Sequence, residues 1–433
     1  MGARGRPASR PPPFAMHTDT RALYDEYIMP TYGRFDLAIE RGAGCRVWTE
    51  DGRELIDFGA GIAVCSLGHA HPRVTAAVAA QAARLVHTSN LYRTRPQAVL
   101  AERLVNLIEL PGKIFFCNSG AEANEGLIKL SRKFGSATGR HEIITFTNSF
   151  HGRTMAGISA TGQEKVKTGF APLLDGFTHL PINDLAAVRA AIGPKTVAIL
   201  LEPIQGEGGI HLARPEFLRG LRELCDANDL LLLFDEVQCG LGRTGDWRGW
   251  KSIAPTGVEP DGISWAKGIA NGFPLGGFWA SQRTLDDRGP LCDLLGPGTH
   301  GTTYGGNAVT CAAALAVLDE IEEKSLLAHS IETGAYFVEA LHAIGSPLVA
   351  EVRALGLMIG LEVVADFKEQ LGIADTRPPS LVLTTLLMDA GLLVIPAGEK
   401  TIRFLPPLNI ARADIDAAVA LLAGVLAPAA AAH

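Results

Sequence analysis

The chain has 433 residues, 47% of them apolar and 20% charged, with a formal net charge of −7. That length exceeds one small core and fits two or three domains, or one large α/β domain with an appendage. The acidic balance argues against a chain-wide affinity for nucleic acid or for an anionic membrane, and no apolar run reaches the ~18 residues of a membrane span. The seven cysteines are scattered and form no Cys-x-x-Cys pair, which suggests reduced thiols and a cytoplasmic protein.

Residues 1–16 are rich in arginine and proline and carry no acid, so a disordered extension is expected there in preference to a transit peptide. Residues 17–70 suggest an arm followed by short strands, with Arg46–Thr49 and Leu55–Phe58 forming a hairpin about the Asp51-Gly52 turn. His69 and His71 lack a matching cluster of Cys, Asp or Glu, so a turn is expected there and no metal site. Helices are expected at 72–86 and 96–109.

From about 112 the pattern changes. Strands are expected at Lys113–Cys117, Glu142–Phe146, Thr196–Leu201, Leu230–Phe234, Gly262–Trp265 and Gly277–Ala280. Helices are expected at Ala121–Phe134 and Pro215–Ala227. Continuous apolar strands alternating with helices indicate an α/β fold whose mostly parallel central sheet is covered on both faces. Ligands of such a sheet bind beyond the carboxyl ends of its strands. Residues 71–325 are therefore expected to form a large ligand-binding domain. A helix near 307–322 leads into a smaller α+β domain at 326–433, which closes on an amphipathic helix after Asp416.

Polar clusters follow the strands. Asn118-Ser-Gly-Ala opens a helix with unpaired backbone N–H groups, an anion site or a simple Ser119 cap. Asn148-Ser-Phe-His-Gly-Arg153 sets an aromatic ring beside an arginine that can grip a carboxylate in bidentate fashion. Glu202-Pro-Ile-Gln-Gly-Glu207 offers two carboxylates. Asp235 ends an apolar strand and needs a cationic or N–H partner. Lys267 follows another, in Asp261-Gly-Ile-Ser-Trp-Ala-Lys267-Gly-Ile-Ala-Asn-Gly. A buried unpaired ammonium is costly, so this lysine is either a reactive neutral amine, bonded to a carbonyl group, or snorkelling to solvent. His300-Gly-Thr-Thr303-Tyr-Gly-Gly suits a phosphate. Arg403 sits in an apolar strand and needs a partner, for which Glu207 is the candidate. Gly240-Leu-Gly242-Arg-Thr-Gly245 matches a dinucleotide fingerprint, but no helix is expected after it, so it is set aside.

Taken together, these stretches resemble the class III (ornithine/acetylornithine) aminotransferases of the fold-type I pyridoxal-phosphate family. Gly59-Ala-Gly-Ile-Ala-Val, Gly68-His-Ala-His-Pro, Phe115-Phe-Cys-Asn-Ser-Gly-Ala-Glu-Ala-Asn, Ser149-Phe-His-Gly-Arg-Thr, Phe234-Asp-Glu-Val-Gln and His300-Gly-Thr-Thr carry the resemblance, which runs from about Tyr32 to Ile410. It implies the cofactor pyridoxal 5'-phosphate, held covalently by Lys267, which also moves the proton. Asp235 would pair with the ring nitrogen, and Gln238 would face the ring oxygen. Val237 and Phe150 would cover the two ring faces. Ser119, Gly120 and Ala121 would bind the phosphate, with Thr303 reaching the phosphate of the partner in a homodimer with shared active sites. For substrates, Arg153 would take the carboxylate of an ornithine-type donor and Arg403 that of glutamate, with Glu207 masking Arg403 between half-reactions. Tyr32 and the partner's Thr302 would line the entrance.

Arg403-Phe-Leu-Pro-Pro-Leu-Asn and Asn118-Ser-Gly-Ala-Glu-Ala-Asn match the branch that transfers the amine of N2-acetyl-L-ornithine to 2-oxoglutarate in arginine biosynthesis. Succinylornithine, ornithine, succinyl-diaminopimelate and 4-aminobutyrate remain alternative donors, a racemase or aminomutase of the same fold is a further one, and a non-catalytic binding protein is the alternative class. Ile62 does not separate these branches. Trp265, Trp279 and the segment between Ala280 and Gly298 depart from the family pattern.

Overall fold

The computed structural model describes residues 19–285 and 288–427. The extension expected at 1–16 lies outside them. The seven strands of the largest sheet are β1 (Gly112–Cys117), β2 (Glu142–Phe146), β3 (Phe177–Leu180), β4 (Thr196–Leu201), β5 (Leu231–Asp235), β6 (Gly262–Trp265) and β7 (Gly276–Ser281). Their order is β1-β7-β6-β5-β4-β2-β3. Only β7 runs antiparallel, to both its neighbours. The other six point the same way. All the expected strands are present within a residue or two, and β3 is one that the sequence reading missed.

Every residue of β4 and β5 is buried, which is why they show no alternation. Leu231 and Leu233 face the core under α1 (Gly120–Gly135), where Leu127, Leu130 and Phe134 pack. Leu232 and Phe234 face the other side, under α2 (Pro215–Ala227), with Phe217, Leu218 and Leu221. Both helices start as the sequence dictates: Ser119 accepts from the Glu122 N–H, and Pro215 occupies the first turn of α2.

A second sheet is antiparallel throughout: β8 (Val349–Leu355), β9 (Met358–Val363), β10 (Ile395–Ala397) and β11 (Thr401–Phe404), in the order β8-β9-β11-β10. The expected hairpin pairs Arg46–Thr49 with Glu54–Asp57 and gains Ile39–Ala43 on one side. Leu392–Leu393 joins its other side in parallel, tying the N-terminal strands to the C-terminal part of the chain. A helix covers Ala308–Glu323, and the last helix is Arg412–Leu426. Among the described residues no helix is long and apolar enough to cross a membrane.

The consequence for the site is positional. The carboxyl ends of β1, β2, β4, β5 and β6 share one edge, so the polar clusters that follow them converge. Close packing of α1 on β7 holds that edge in register. A Cβ at Gly126 would fall 2.2 Å from the Phe278 ring, so the helix can approach the sheet only with glycine there. Gly126→Ala is expected to lower the unfolding free energy by about 1–3 kcal/mol, measured as a shifted urea midpoint with unchanged slope.

Candidate active site

Beyond that edge lies a cavity of about 370 Å³. Its floor is Asp235, 4% exposed. Asn124 Nδ2 donates to Asp235 Oδ2 at 2.7 Å, His151 Nδ1 lies 2.8 Å from the same oxygen, and the Val237 N–H donates to Oδ1 at 3.1 Å. Ser264 Oγ approaches Oδ1 at 3.4 Å and donates to Asn124 at 2.7 Å. A carboxylate bound by so many donors stays oriented and ready to hold a cation. Among the described residues the Nε2 atom of the fully enclosed His151 ring has no hydrogen-bond partner. Sequence reasoning missed Asn124, His151 and Ser264 as supports of Asp235. All three stood inside or beside stretches already singled out, but only the fold reveals that they share one oxygen pair.

Lys267 opens a single helical turn, Lys267–Ala270, with φ +45°. The turn, not the strand, therefore aims the amine, because β6 ends at Trp265. Lys267 lines the cavity. Burial pulls its pKa down from the ordinary lysine value, Glu207 pulls it back up, and Arg403 pushes it down again. Phe150 and Val237 also line the cavity, together with Gln238, Ser119, Gly120 and Ala121. No helical carbonyl precedes the Gly120 and Ala121 N–H groups, so both are free to bind an anion. A Cβ at Gly120 would press within 2.8 Å of Val237, so the helix start and the Val237 wall touch.

Two arginines stand around this slot. Arg153 is on the wall, its guanidinium carbon 5.6 Å from the Phe150 ring centre. Arg403 arrives from β11 of the second sheet and is 1% exposed. It donates to both oxygens of Glu207, at 2.9 and 3.0 Å, and to Gln238 Oε1 at 3.0 Å. The expected pair is thus present and bidentate. Burial raises the Glu207 pKa, but Arg403 and then Lys267 outweigh it, and the net shift is downward. Glu202, given no role from the sequence, is buried on the same wall; burial pushes its pKa up to about 7. It receives the N–H groups of Phe150 at 2.8 Å and Gly206 at 3.0 Å, and so fixes the loops that carry Phe150 and Glu207.

Three sequence candidates stand apart. Tyr32 is 75% exposed and lies outside the cavity lining. Thr303 is exposed. Thr302 accepts from Asn118 Nδ2 at 3.0 Å yet is not part of the wall.

Val64, on the rim, follows a left-handed turn in which Ala60, Gly61, Ile62 and Ala63 have φ between +45° and +65°. For the non-glycine residues this costs on the order of 1–2 kcal/mol each. The Asp57 Oδ1 atom holds the turn through the Gly59 and Ala60 N–H groups, at 2.9 Å each.

The model of one family, described as aminotransferase class-III, matches residues 27–426. The chain is 43% identical to the acetylornithine aminotransferase of Caldanaerobacter subterraneus subsp. tengcongensis, over 93% of this chain and 97% of that one. Among solved structures, the N-acetylornithine aminotransferase of Stenotrophomonas maltophilia is similar at TM-score 0.76 and 34% identity, covering 93% of this chain and 97% of that one. The ornithine aminotransferase of Toxoplasma gondii, with partial occupancy of PLP at its active site, is similar at TM-score 0.84 and 29% identity, covering 94% of this chain and 92% of that one.

The Lys267 environment sets a pH dependence. Its folded pKa lies below that of the unfolded chain, so the unfolded chain binds the proton more tightly. Stability of the cofactor-free protein should therefore rise as pH climbs from the folded value to the ordinary lysine value of about 10.4. Lys267→Met should flatten that part of the curve, as read from urea unfolding at a series of pH values.

Proposed function

The chain belongs to the class III aminotransferases, and on that premise we propose that it transfers the terminal amine of N2-acetyl-L-ornithine to 2-oxoglutarate, with pyridoxal 5'-phosphate as cofactor. One observation carries the two-substrate reading: a single slot around Lys267 holds an open arginine, Arg153, and a second arginine, Arg403, covered by Glu207. The sequence similarity to acetylornithine aminotransferases supports the acetylated donor.

The donor set fits the cofactor. Pyridoxal phosphate supplies a carbonyl that bonds the substrate amine and a ring that draws off the electrons of the broken C–H bond. Asp235, immobilised by Asn124 and His151, would hold a proton on the ring nitrogen. Gly120 and Ala121 would bind the phosphate, aided by Ser119. Phe150 and Val237 would enclose the ring, with Gln238 at its oxygen. Lys267, whose pKa burial lowers, would anchor the group and would take the proton from the donor carbon that bears the amine. Arg153 would hold the donor's α-carboxylate. With Glu207 on Arg403, the donor is bound through its terminal amine. When Glu207 withdraws, Arg403 takes the α-carboxylate of glutamate or 2-oxoglutarate.

The active unit in this reading is a cytoplasmic homodimer. Thr302 and Thr303 lie outside this chain's own slot, next to the exposed Tyr304, and Asn90, whose Nδ2 donates to the Thr302 carbonyl at 3.4 Å, precedes the exposed Leu91 and Tyr92. The partner's Thr302 and the partner's Thr303 would complete each site.

Lys267→Ala should abolish transamination and the visible absorbance of the anchored cofactor while leaving the fold intact, checked by spectrophotometry and circular dichroism. Arg403→Ala should cut kcat/KM for 2-oxoglutarate by at least about 30-fold, the equivalent of roughly 2 kcal/mol. The donor half-reaction, followed by single-turnover absorbance, should lose much less. A panel of N-acetylornithine, succinylornithine, ornithine, succinyl-diaminopimelate and 4-aminobutyrate with 2-oxoglutarate identifies the donor. N-acetylornithine is expected to be fastest, and equal rates with ornithine would refute the acetyl-specific reading.

A further inference from the structure

The carboxylate that covers Arg403 hangs from a turn tied down at both ends. Ile204–Gln205 pairs with His211–Leu212, and residues 206–210 close the turn between them. Glu207 is the only polar side chain in that turn. At one end Glu202 receives the Gly206 N–H at 3.0 Å. At the other end the Gly209 carbonyl accepts two bonds from one guanidinium, from Arg353 Nε at 3.0 Å and from Arg353 Nη2 at 2.8 Å. Gly209 has φ +115° and Ile210 has φ +58°, so backbone in the left-handed region presents that carbonyl.

Arg353 comes from the same sheet as Arg403. It stands in β8 opposite Gly360 of β9, and Gly360 stands opposite Arg403 of β11. Residues directly opposite one another share a face of the sheet, so both arginines project towards the turn. Gly360, between them, leaves the room that Ile210 fills: a Cβ there would come within 2.9 Å of the Ile210 side chain. One row of the second sheet thus grips the turn twice, Arg403 by the Glu207 carboxylate and Arg353 by the Gly209 backbone.

Arg353 is itself held fast, with its side chain 11% exposed. Its Nη1 donates to Glu351 and, at 2.8 Å, to Glu362. Its Nη2 also donates to Thr401 Oγ1 at 3.1 Å. Lys400 lies 2.8 Å from the other Glu362 oxygen. A guanidinium anchored in this way offers Gly209 a rigid planar fork, which an ammonium cannot.

We propose that Arg353 is a positioning residue for the Glu207 cover. By fixing Gly209 it keeps the carboxylate seated on Arg403 while the donor is bound, and it confines withdrawal to rotation of the Glu207 side chain. Gly208 has little room to move instead, since a Cβ there would stand 2.8 Å from the Asn148 carbonyl oxygen. Arg353 is not among the residues that line the cavity, so it acts through Glu207 on which carboxylate is gripped, and not on proton transfer. This role rests on the two-substrate reading of Glu207 and Arg403.

The test uses the cofactor-loaded enzyme, with single-turnover absorbance recorded separately for N-acetylornithine and for glutamate. Arg353→Met should shift the ratio of the two rate constants at least about tenfold towards glutamate, whereas general structural damage would slow both alike. Glutarate has two carboxylates and no amine to transfer, so it probes Arg403 without turnover. Its Kd, measured by calorimetry, should tighten at least about threefold in Arg353→Met. Glu207→Ala should shift the ratio in the same direction, and adding Arg353→Met to it should change nothing further, because both act through one cover. Arg353→Lys keeps a cation beside Glu351 and Glu362 but loses the fork, so it should shift the ratio part of the way; it decides the matter if Arg353→Met fails to fold. An unchanged ratio in the folded Arg353 variant would overturn the proposal, and so would an effect that adds in full to that of Glu207→Ala. If Glu207→Ala alone leaves the ratio unchanged, the covering role of Glu207 is wrong and the positioning role falls with it.

Discussion

A carboxylate buried at the end of a β-strand is the constraint on which the rest of this molecule depends. Asp235 needs donors, and the fold supplies them from three separate parts of the chain: Asn124 in the helix after β1, His151 in the loop after β2, and Ser264 in β6. The strand order places those segments side by side. Moving any of them by one residue would leave a buried charge short of a partner, which costs more than any single apolar contact nearby is worth. The network therefore fixes the register of the sheet edge as firmly as the apolar core beneath it does. A floor of one negative charge, held rigid, is also what a cationic ring requires.

Above that floor the charges are balanced against one another instead of being dispersed into solvent. Arg403 is enclosed and would be intolerable alone. Glu207 and Gln238 satisfy it, and Glu207 in turn keeps its charge because Arg403 and Lys267 are near. Lys267 sits where burial disfavours its charged form. The outcome is a slot with an amine of lowered pKa at its centre, one exposed guanidinium and one that a carboxylate covers or uncovers. Two substrates that differ in which amine they present can share such a slot, because the covering group sets which carboxylate is gripped.

The rim follows the same logic. Asp57 spends one oxygen on a turn whose backbone is held in the left-handed region and the other on His69. Ser66, Leu67 and Asn271 then tie that turn to the Lys267 segment. Backbone geometry that is costly locally persists because surrounding bonds over-determine it. The rim turn and the segment that carries Lys267 are thus bonded to each other.

Much of this was written in the sequence. Uninterrupted apolar runs at 197–201 and 230–234 mark strands covered on both faces, and Ser119 or Pro215 mark helix starts whatever the tertiary context. Asp235, Lys267 and Arg403 declared themselves because a charge in an apolar strand or at its end demands a partner. What the sequence could not state was which partner. His151 and Asn124 looked like loop and helix residues until β1, β2 and β5 were laid along one edge. Lys267 read as a strand end, whereas a left-handed backbone turn beyond β6 aims it. Glu202 was a bare carboxylate until its two N–H donors were seen. Asp57 and His69 are bonded across a turn whose left-handed φ values no apolar pattern encodes. Local pattern and burial are properties of neighbours in the chain, and so the sequence by itself determined the elements and the charges needing partners. Hydrogen-bond geometry between distant segments depends on strand order and on the turns between strands, and that was decided only when the chain was folded.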